Sequence, residues 1–324
     1  MKTAVDLEFD FLQQQFAKSY KDKFQNKLEE KTVVIVPSLT LDHEMLTTLK
    51  GSVHYEERLL CMLMLLRMPR TKVIYITSVP IDSSIIDYYL HLLPGITGQH
   101  ARSRLTLLSC YDASHISLIE KILKRPRLVK RIREKIQYAD LTHMSCFNVT
   151  HFEKQLAHLL KVPLYGCDPD LLYLGTKTGS RRIFKKLGIL VPAGYEDLKN
   201  EADIALALTN LKINNPGLSK AVVKINDGFS GEGNAIFRYD DLKAKSPSLP
   251  AEILKNLPAR LSIVAAKVSY HEFLAKFVAL GGIVEEFIDG KIKESPSVQC
   301  RINPLGLTDV ISTHDQLLGG ESGQ

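Results

Sequence analysis

The sequence has 324 residues, more than one hydrophobic core usually serves, so its length favours two domains. With 45% hydrophobic and 24% charged residues it has the composition of an ordinary globular protein, and its net charge of +6 suits a nucleotide but is too small to argue for nucleic acid. Its five cysteines show no CxxC pair or His/Cys spacing typical of zinc or redox sites, so we expect free thiols.

The N-terminus and the longest apolar run argue against secretion and against membrane insertion. Acidic residues stand near the N-terminus where a signal peptide carries its apolar core. The longest apolar run, residues 59–66, is far shorter than the roughly 20 residues that a membrane-spanning helix needs. We therefore expect a cytoplasmic protein with no membrane partner.

The first half of the chain alternates apolar strands with helices. After an amphipathic helix within residues 1–30, the pattern predicts a strand at 31–36, a helix at 55–68, a strand at 73–78, a helix at 82–93 and a strand at 105–108. A strand-like piece, a helix and a further strand follow within residues 141–165. This alternation predicts an α/β domain with a parallel sheet that helices cover on both faces.

Residues 121–135 carry eight basic side chains in quick succession, and two interpretations stay open. The more specific interpretation is a surface patch that binds nucleic acid. The same segment places apolar residues at near-helical spacing, which favours a helix with one buried face and one solvated basic face.

The second half mixes helices with strands. We predict helices at residues 175–188, 196–211 and 270–280, an exposed loop at 243–250, a strand beginning at 283, and two strands at 297–301 and 308–312.

A glycine-rich hairpin at residues 221–239 is the most informative stretch. Lys224 ends its first apolar strand, and Gly228, Gly231 and Gly233 precede the second. Glycines let backbone N–H groups approach an anion, and a nearby lysine adds a compact positive charge. A P-loop or a dinucleotide fingerprint would continue into a helix, and a kinase places its lysine downstream of the glycines. A hairpin folded over a nucleotide and a long flexible turn remain as alternatives.

With these parts in order, the second half resembles the ATP-grasp superfamily of carboxylate–amine ligases. The resemblance depends on a series: Thr176 and Lys177 opening a helix that leads into residues 187–192, then Lys224 with residues 228–234, then residues 285–288. The whole chain is similar to the pheganomycin-type peptide ligases and to the related portion of IQ-motif-containing protein H, through residues 54–70, 87–95, 295–299 and 312–316. The resemblance implies a pre-ATP-grasp α/β domain at 1–165 and an α+β ATP-grasp domain at 166–324, with a nucleotide-binding lid at about 190–290.

The resemblance also implies roles for particular residues and for the ligands ATP and Mg²⁺. Lys177 and Lys224 would contact the ATP phosphates. The residues expected in the lid are Gly228, Ser230, Gly231, Gly233 and Asn234. The residues expected in the hinge strand beside adenine are Glu285, Glu286, Phe287 and Ile288. Glu294 would accept from the ribose, and Arg301 would act as a catalytic residue at the acceptor site or the γ-phosphate.

Each of these roles has a plain structural alternative. Lys177 and Lys224 could be surface lysines, and Glu285 with Glu286 could be solvated acids on a strand edge. His314 and Asp315 suggest a polar site, but a capping or turn role fits them equally well.

The expected reaction phosphorylates an amino-acid or peptide carboxylate to an acylphosphate, which an amine then attacks. The family takes its magnesium ligands from residues downstream of the point where this sequence stops, so we expect an ATP-grasp domain that is incomplete at its C-terminus. A non-catalytic nucleotide-binding or interaction module is the alternative function. Nucleic acid is the less favoured partner.

Overall fold

The computed structural model describes residues 3–24, 26–41, 46–47, 51–227, 233–244, 246–265, 268–290 and 294–317. Its contacts divide the chain into two units. The first comprises Met1–Pro169 with Cys300–Ile311, and the second comprises Asp170–Gln299 with Ser312–Gln324. From the sequence we expected one boundary, after residue 165. In the structure, residues 300–311 also group with the first unit.

A four-stranded parallel sheet forms the centre of the first unit. Its strands are β1 (Lys31–Val36), β2 (Thr71–Thr77), β3 (Leu105–Ser109) and β4 (Thr142–Cys146), in the order β3-β2-β1-β4. Successive residues of a strand point to opposite faces, so Val33 and Ile35 enter one apolar cluster while Val34 and Val36 enter another. The predicted parallel sheet with two covered faces is confirmed.

Six α-helices in the described part of the first unit cover this sheet. They are α1 (Ala4–Ser19), α2 (Ser83–His91), α3 (Gly98–Ser103), α4 (Leu118–Leu123), α5 (Pro126–Lys135) and α6 (His151–Leu160). A π-helical turn at Tyr20–Phe24 continues α1. The predicted strand at the end of residues 141–165 is wrong, because only an isolated bridge joins Met144 to Leu164 there.

The helix predicted at residues 55–68 is a 3-10 helix, Ser52–Arg67. A 3-10 helix has three residues per turn, so side chains three positions apart point the same way. Leu60, Leu63 and Leu66 accordingly lie fully buried against β1 and β2, while Cys61 and Met64 are exposed. The apolar sequence was read correctly as helical, but its winding differs from the α-helix that is the default expectation.

The basic segment at residues 121–135 forms two helices, which corrects the single helix that we predicted. Pro126 begins α5 and separates it from α4. Leu128, Val129 and Ile132 are buried, as the predicted apolar face requires. Lys121, counted with the solvated basic face from sequence, is only 1% exposed.

Lys121 belongs to a buried polar cluster at the carboxyl end of β2. Ser78 donates to Glu56 from its backbone N and from Oγ, each at 2.5 Å, and Lys121 Nζ donates to Ser78 Oγ at 2.9 Å. Burial raises the pKa of Glu56, although the bonds from Ser78 and the charge of Lys121 oppose the rise. Burial also lowers the pKa of Lys121, against the opposing charge of Glu56. The cluster joins the 3-10 helix, β2 and α4.

The second unit is built on a five-stranded antiparallel sheet. Its strands are β5 (Gly194–Leu198), β6 (Lys220–Ile225), β7 (Asn234–Arg238), β8 (Leu261–Ile263) and β9 (Gly282–Glu286), in the order β5-β9-β6-β7-β8. Its helices are α7 (Leu172–Gly175), α8 (Lys177–Lys186), α9 (Glu201–Asn214), α10 (Leu249–Arg260) and α11 (Tyr270–Leu280). Helices α9, α10 and α11 share one apolar core with one face of the sheet.

Two predictions in the second unit are wrong. Residues 194–198 form strand β5, and α9 begins only after the N-cap Asn200, whereas the sequence was read as a helix from residue 196. Helix α10 begins at Leu249, inside the stretch predicted as a loop up to residue 250. Pro250 stands in the first turn of α10, where a missing backbone N–H costs nothing.

The final strands are β10 (Pro296–Ile302) and β11 (Thr308–Asp315), which form a separate two-stranded sheet. They extend the two predicted strands by a few residues. All five cysteines are free, as expected. None of the helices in the described part of the chain is both long and apolar enough to cross a membrane.

Candidate functional site

One face of the second unit's sheet is packed under helices, and the other carries polar side chains. On β6, Ala221, Val223 and Ile225 point into the apolar core, so Lys224 points to the opposite face. Directly opposite Lys224 in the ladders are Asn234 on β7 and Ile283 on β9. Residues paired across a ladder share a face, so Lys224 and Asn234 are neighbours on the polar face.

Glu285 on β9 lies between two cationic side chains on this face. Lys224 Nζ donates to Glu285 Oε2 at 2.6 Å, and the guanidinium of Arg181, on α8, donates to Oε1. Only 6% of the Glu285 side chain is exposed, compared with 29% of Lys224. Removing a carboxylate from water costs free energy, and these two cationic partners offset that cost.

Arg181 is fixed by further contacts on α8 and β5. Its Nη2 donates to the carbonyl oxygen of Pro192 at 3.0 Å, and its Nε lies 3.3 Å from Glu196 Oε2. Lys185 also binds Glu196, at 2.7 Å. Burial opposes ionisation of Glu196, but the bonds from Lys185 and Arg181 outweigh it and lower the pKa of this carboxyl.

Asn226 brings the start of α8 to the end of β6. Its backbone oxygen accepts from Lys177 N at 3.2 Å and its Oδ1 accepts from Thr178 N at 3.0 Å. Its own N donates to Gly281 O at 2.9 Å, and its Nδ2 donates to Leu280 O at 3.1 Å. These bonds satisfy two helix ends at once, because the first N–H groups and last C=O groups of a helix have no partner within it.

Substituting Asn226 with alanine is expected to destabilise the second unit by about 1 to 2 kcal/mol, because a helical N–H and a helical C=O each lose a hydrogen bond. Asn226→Asp is the matched control. It keeps an acceptor for Thr178 N, which the helix N-terminus favours, and should recover much of the loss. Urea unfolding curves of the three proteins measure the difference. Equal stability of Asn226→Ala and the unmodified chain would contradict this role.

Lys177 lies close enough to Lys224 for their charges to interact. Burial lowers the pKa of Lys177, the charge of Lys224 lowers it further, and Asp227 and Glu285 oppose the shift. The structure therefore brings together Lys177, Lys224 and Glu285, three residues predicted from sequence to lie at the site. Among the described residues, four cationic groups interact with three carboxylates, those of Glu285, Glu196 and Asp227; the cations are Lys177, Arg181, Lys185 and Lys224.

The glycine-rich loop is only partly within the described residues. Gly228, Ser230 and Gly231 lie outside them, so their expected role as a lid stays a prediction. Gly233 is buried, and its carbonyl oxygen accepts from Ile225 N at 2.9 Å. Asn234 Oδ1 is buried and has no hydrogen-bond partner within the described part of the chain. Among the described residues, this acceptor beside Lys224 is therefore available to bind a donor on the polar face.

The hinge strand was expected to include residues 285–288, but β9 ends at Glu286. The backbone N of Glu286 donates to Ala193 O at 2.8 Å, and that of Phe287 donates to Lys220 O at 3.2 Å. Ile288 follows the strand and its side chain is 70% exposed. Glu285 differs from its neighbours because its side chain, rather than its backbone, enters the cationic cluster.

Two predicted site residues lie outside this cluster. Glu294 is exposed and precedes β10. Arg301 on β10 donates to Asp309 on β11 at 2.9 Å and belongs to the first unit. The roles assigned to both residues stay predictions.

Sequence reasoning missed Arg181 and Asn226. Arg181 follows Lys177 by one helical turn, so both project from one side of α8. That spacing could have identified Arg181 from the sequence. The partner of Arg181, Glu285, is 104 residues away in sequence and could not be identified in this way. Asn226 directly follows the strand that carries Lys224 and resembled an ordinary turn residue.

The residues present fit a polyphosphate better than a metal ion. Cationic groups outnumber carboxylates, and phosphate oxygens would pair with lysine ammonium groups. Within the described residues, no group of three or more His, Cys, Asp or Glu is placed to hold a metal. The Mg²⁺ expected from the resemblance stays a prediction.

Comparisons with known proteins find similarity to one family model and to two curated proteins. Residues 170–261 match the family model described as IQCH-like, ATP-grasp. The chain is 28% identical over 273 residues to L-propargylglycine–L-glutamate ligase of Streptantibioticus cattleyicolor, covering 82% of this chain and 54% of that protein. It is 24% identical over 333 residues to IQ motif-containing protein H of Danio rerio, covering 90% of this chain and 31% of that protein. The chain thus spans about half the length of the first relative and about a third of the second.

Solved structures give more distant similarities. The ADP complex of N5-carboxyaminoimidazole ribonucleotide synthetase matches with 13% identity and a TM-score of 0.44, over 89% of this chain and 54% of that chain. D-alanyl-alanine synthetase A from Vibrio cholerae matches with 9% identity and a TM-score of 0.39, over 91% of this chain and 69% of that chain.

Proposed function

We propose that this chain, which carries an ATP-grasp domain of the IQCH-like family at residues 170–261, binds ATP on the polar face of the second unit's sheet. We further propose that ATP drives the joining of an amino-acid or peptide carboxylate to an amine. The similarity to a ligase along 82% of the chain supports this reaction class.

The observation that carries the proposal is the cationic cluster around Glu285. Lys177, on α8, and Lys224, on β6, lie near each other and their charges repel, and the carboxylates of Glu285 and Asp227 offset part of this repulsion. A triphosphate would add further negative charge beside both ammonium groups. Asn234 Oδ1, buried and without a partner among the described residues, would accept a hydrogen bond from a hydroxyl or amino group of the same ligand.

In the proposed complex, Lys177 and Lys224 hold the phosphates, and residues 285–288 lie beside the adenine. A carboxylate oxygen attacks the γ-phosphorus of ATP, the bond from that phosphorus to the β-phosphate oxygen breaks, and ADP leaves. The carboxylate oxygen, a poor leaving group, thereby becomes part of an acylphosphate, from which phosphate leaves readily when the amine attacks and loses its proton. The amine nitrogen then bonds to the acyl carbon as phosphate departs. The protein orients the groups and neutralises their charge, and both contributions can lower the barrier by several kcal/mol.

Lys224→Ala is expected to weaken ATP binding by about 10- to 100-fold, which is the loss of one charge-assisted hydrogen bond to phosphate. Isothermal titration calorimetry measures the affinity. The matched control is Lys186→Ala, because Lys186 is an exposed lysine at the far end of the helix that Lys177 begins. That control should bind ATP like the unmodified chain.

The outcomes separate three cases. No ATP binding by the unmodified chain sinks the proposal. Equal losses in Lys224→Ala and Lys186→Ala would show a general charge effect and no defined phosphate site. If ATP binds but amino acids and peptides never stimulate ADP release with Mg²⁺ present, the second candidate applies, a non-catalytic nucleotide-binding module. The chain is also similar to IQ motif-containing protein H, whose name gives no enzymatic activity.

The lowered pKa of Lys177 predicts a pH dependence of ATP binding. Phosphates bind the protonated ammonium, so ATP affinity should fall as the pH rises through a pKa that lies below the ordinary value of 10.5. Binding should take up a proton within that window. Lys177→Arg should flatten the profile, because a guanidinium stays charged throughout. Titrations from neutral pH to 10.5 test this, and identical slopes for both proteins would contradict it.

A further inference from the structure

We propose that Glu285 is a positioning residue with one permanent and one exchangeable partner, Arg181 and Lys224, and that a nucleotide phosphate displaces Glu285 from Lys224. Arg181 keeps the buried carboxylate paired during the exchange. This inference depends on the proposed ATP site and concerns how that site is loaded.

Arg181 has the features of the permanent partner. Its side chain is 5% exposed and is held from three sides, by Glu285, by the carbonyl oxygen of Pro192 and by Glu196. A guanidinium offers five N–H donors in a planar arrangement, so it can serve all three acceptors without rearranging. Moving Arg181 away would break every one of these bonds.

Lys224 has the features of the exchangeable partner. Its side chain is 29% exposed, and its Nζ donates to Glu285 at 2.6 Å. An ammonium has three N–H donors on a flexible stem, so it can reorient toward another acceptor. The neighbouring positive charge of Lys177 repels Lys224 and adds to the attraction of an incoming polyanion.

The exchange avoids a buried unpaired charge at every stage. Before binding, Glu285 is paired with both cations. After binding, Lys224 would be paired with phosphate and Glu285 with Arg181. Burying a carboxylate without a partner is strongly unfavourable, so the arrangement needs both cations. Glu285 therefore competes with the nucleotide for Lys224, and Arg181 makes that competition weak.

This competition predicts that Glu285→Gln and Arg181→Met change the affinity for phosphate ligands in opposite directions, although the two residues bind each other. Glu285→Gln removes the competitor and should tighten binding of ATP and of the probe tripolyphosphate by about 3- to 10-fold. Arg181→Met leaves Lys224 as the remaining cation on Glu285, so Lys224 is held more strongly and binding should weaken by a similar factor. A purely structural ion pair would weaken binding in both variants.

The double variant Arg181→Met with Glu285→Gln completes the cycle. Arg181 affects Lys224 only through their shared partner, the carboxylate of Glu285. When that carboxylate is absent, removing Arg181 should not change the affinity, so the double variant should bind as tightly as Glu285→Gln alone. If Arg181 acted only as a distant positive charge, its removal would weaken binding equally in both backgrounds. The double variant also removes both buried charges, which keeps a folded protein available if Glu285→Gln unfolds.

Asp227→Asn provides the comparison for a general charge effect. Asp227 is an exposed acid whose charge interacts with Lys177. Calorimetry on the full chain, with melting curves for each variant, measures all of these affinities. If Glu285→Gln tightens binding no more than Asp227→Asn, or if Glu285→Gln and Arg181→Met both weaken binding, the exchange is wrong. Failure of the unmodified chain to bind either probe would instead defeat the proposed function.

Discussion

Lys121→Met is expected to destabilise the first unit by about 3 to 5 kcal/mol at neutral pH, since it leaves Glu56 as a buried carboxylate without a cation. Methionine has a similar length, so lost packing contributes little. The loss should appear as a lower midpoint in urea unfolding. Ser78 would continue to donate two hydrogen bonds to Glu56, which limits the destabilisation.

The effect of Lys121→Met should shrink in acid. The pKa of Glu56 is raised above its ordinary value of 4.5 in the folded chain, so the folded state binds more protons and stability falls as the pH rises past 4.5. The lowered pKa of Lys121 has the opposite sign, with stability rising with pH below 10.5. Without Lys121, the pKa of Glu56 should rise further. The variant should therefore lose more stability between acid and neutral pH than the unmodified chain.

Lys124→Met is the matched control for this prediction. Lys124 lies one turn away, its side chain is 63% exposed, and its Nζ lies 3.7 Å from Glu120 Oε2. Its substitution should change stability by less than about 1 kcal/mol. A Lys121→Met protein as stable as Lys124→Met, or one whose deficit does not change with pH, would show that Glu56 is neutral in the folded chain.

Gly282→Ala is expected to cost about 3 kcal/mol, the upper end of the overpacking range. A Cβ at this position would lie 2.3 Å from the buried ring of Phe277 and 2.4 Å from the carbonyl oxygen of Lys224. Strand β9 is hydrogen-bonded to β5 on one side and to β6 on the other, so it has little freedom to move away. Any shift of Lys224 would also disturb the cationic cluster.

Gly175→Ala is a suitable comparison within the same unit. A Cβ at Gly175 would meet no atom within 4 Å, and the residue lies in the short helix α7. Alanine should be neutral there or stabilising by up to about 1 kcal/mol. Thermal unfolding of the two variants separates overpacking from a general effect of losing glycine. Similar melting temperatures would argue against the close approach at Gly282.

Local patterns in the sequence predicted the elements that have clear signals. Helix α11 has the bounds that the sequence predicts, and both of its ends have clear signals: Ser269 and Glu272 form a capping box, and Gly281 follows the helix with a positive φ. The apolar residues of β1 predicted a strand buried on both faces. Strand β5 was missed because its polar residues show no alternation. Helix α10 was missed because the Pro-, Lys- and Ser-rich stretch at residues 243–250 is typical of an exposed loop.

The candidate site could be predicted in part. Lys177 and Lys224 were recognisable by their positions at a helix start and beside a glycine loop. The pairing of Glu285 with Arg181 and Lys224 was not, since the three residues lie on separate elements that meet only in the folded unit. Local periodicity contains no information on contacts between residues 61 or 104 positions apart.

The 3-10 winding of Ser52–Arg67 restricts how this segment can change in length. With three residues per turn, deleting one residue would rotate every later side chain by about 120°. The leucines now facing β1 and β2 would then turn aside, and exposed residues would replace them in the core. Insertions or deletions of three residues keep the leucines on the buried side of the helix. Length variation in this segment should therefore occur in steps of three residues.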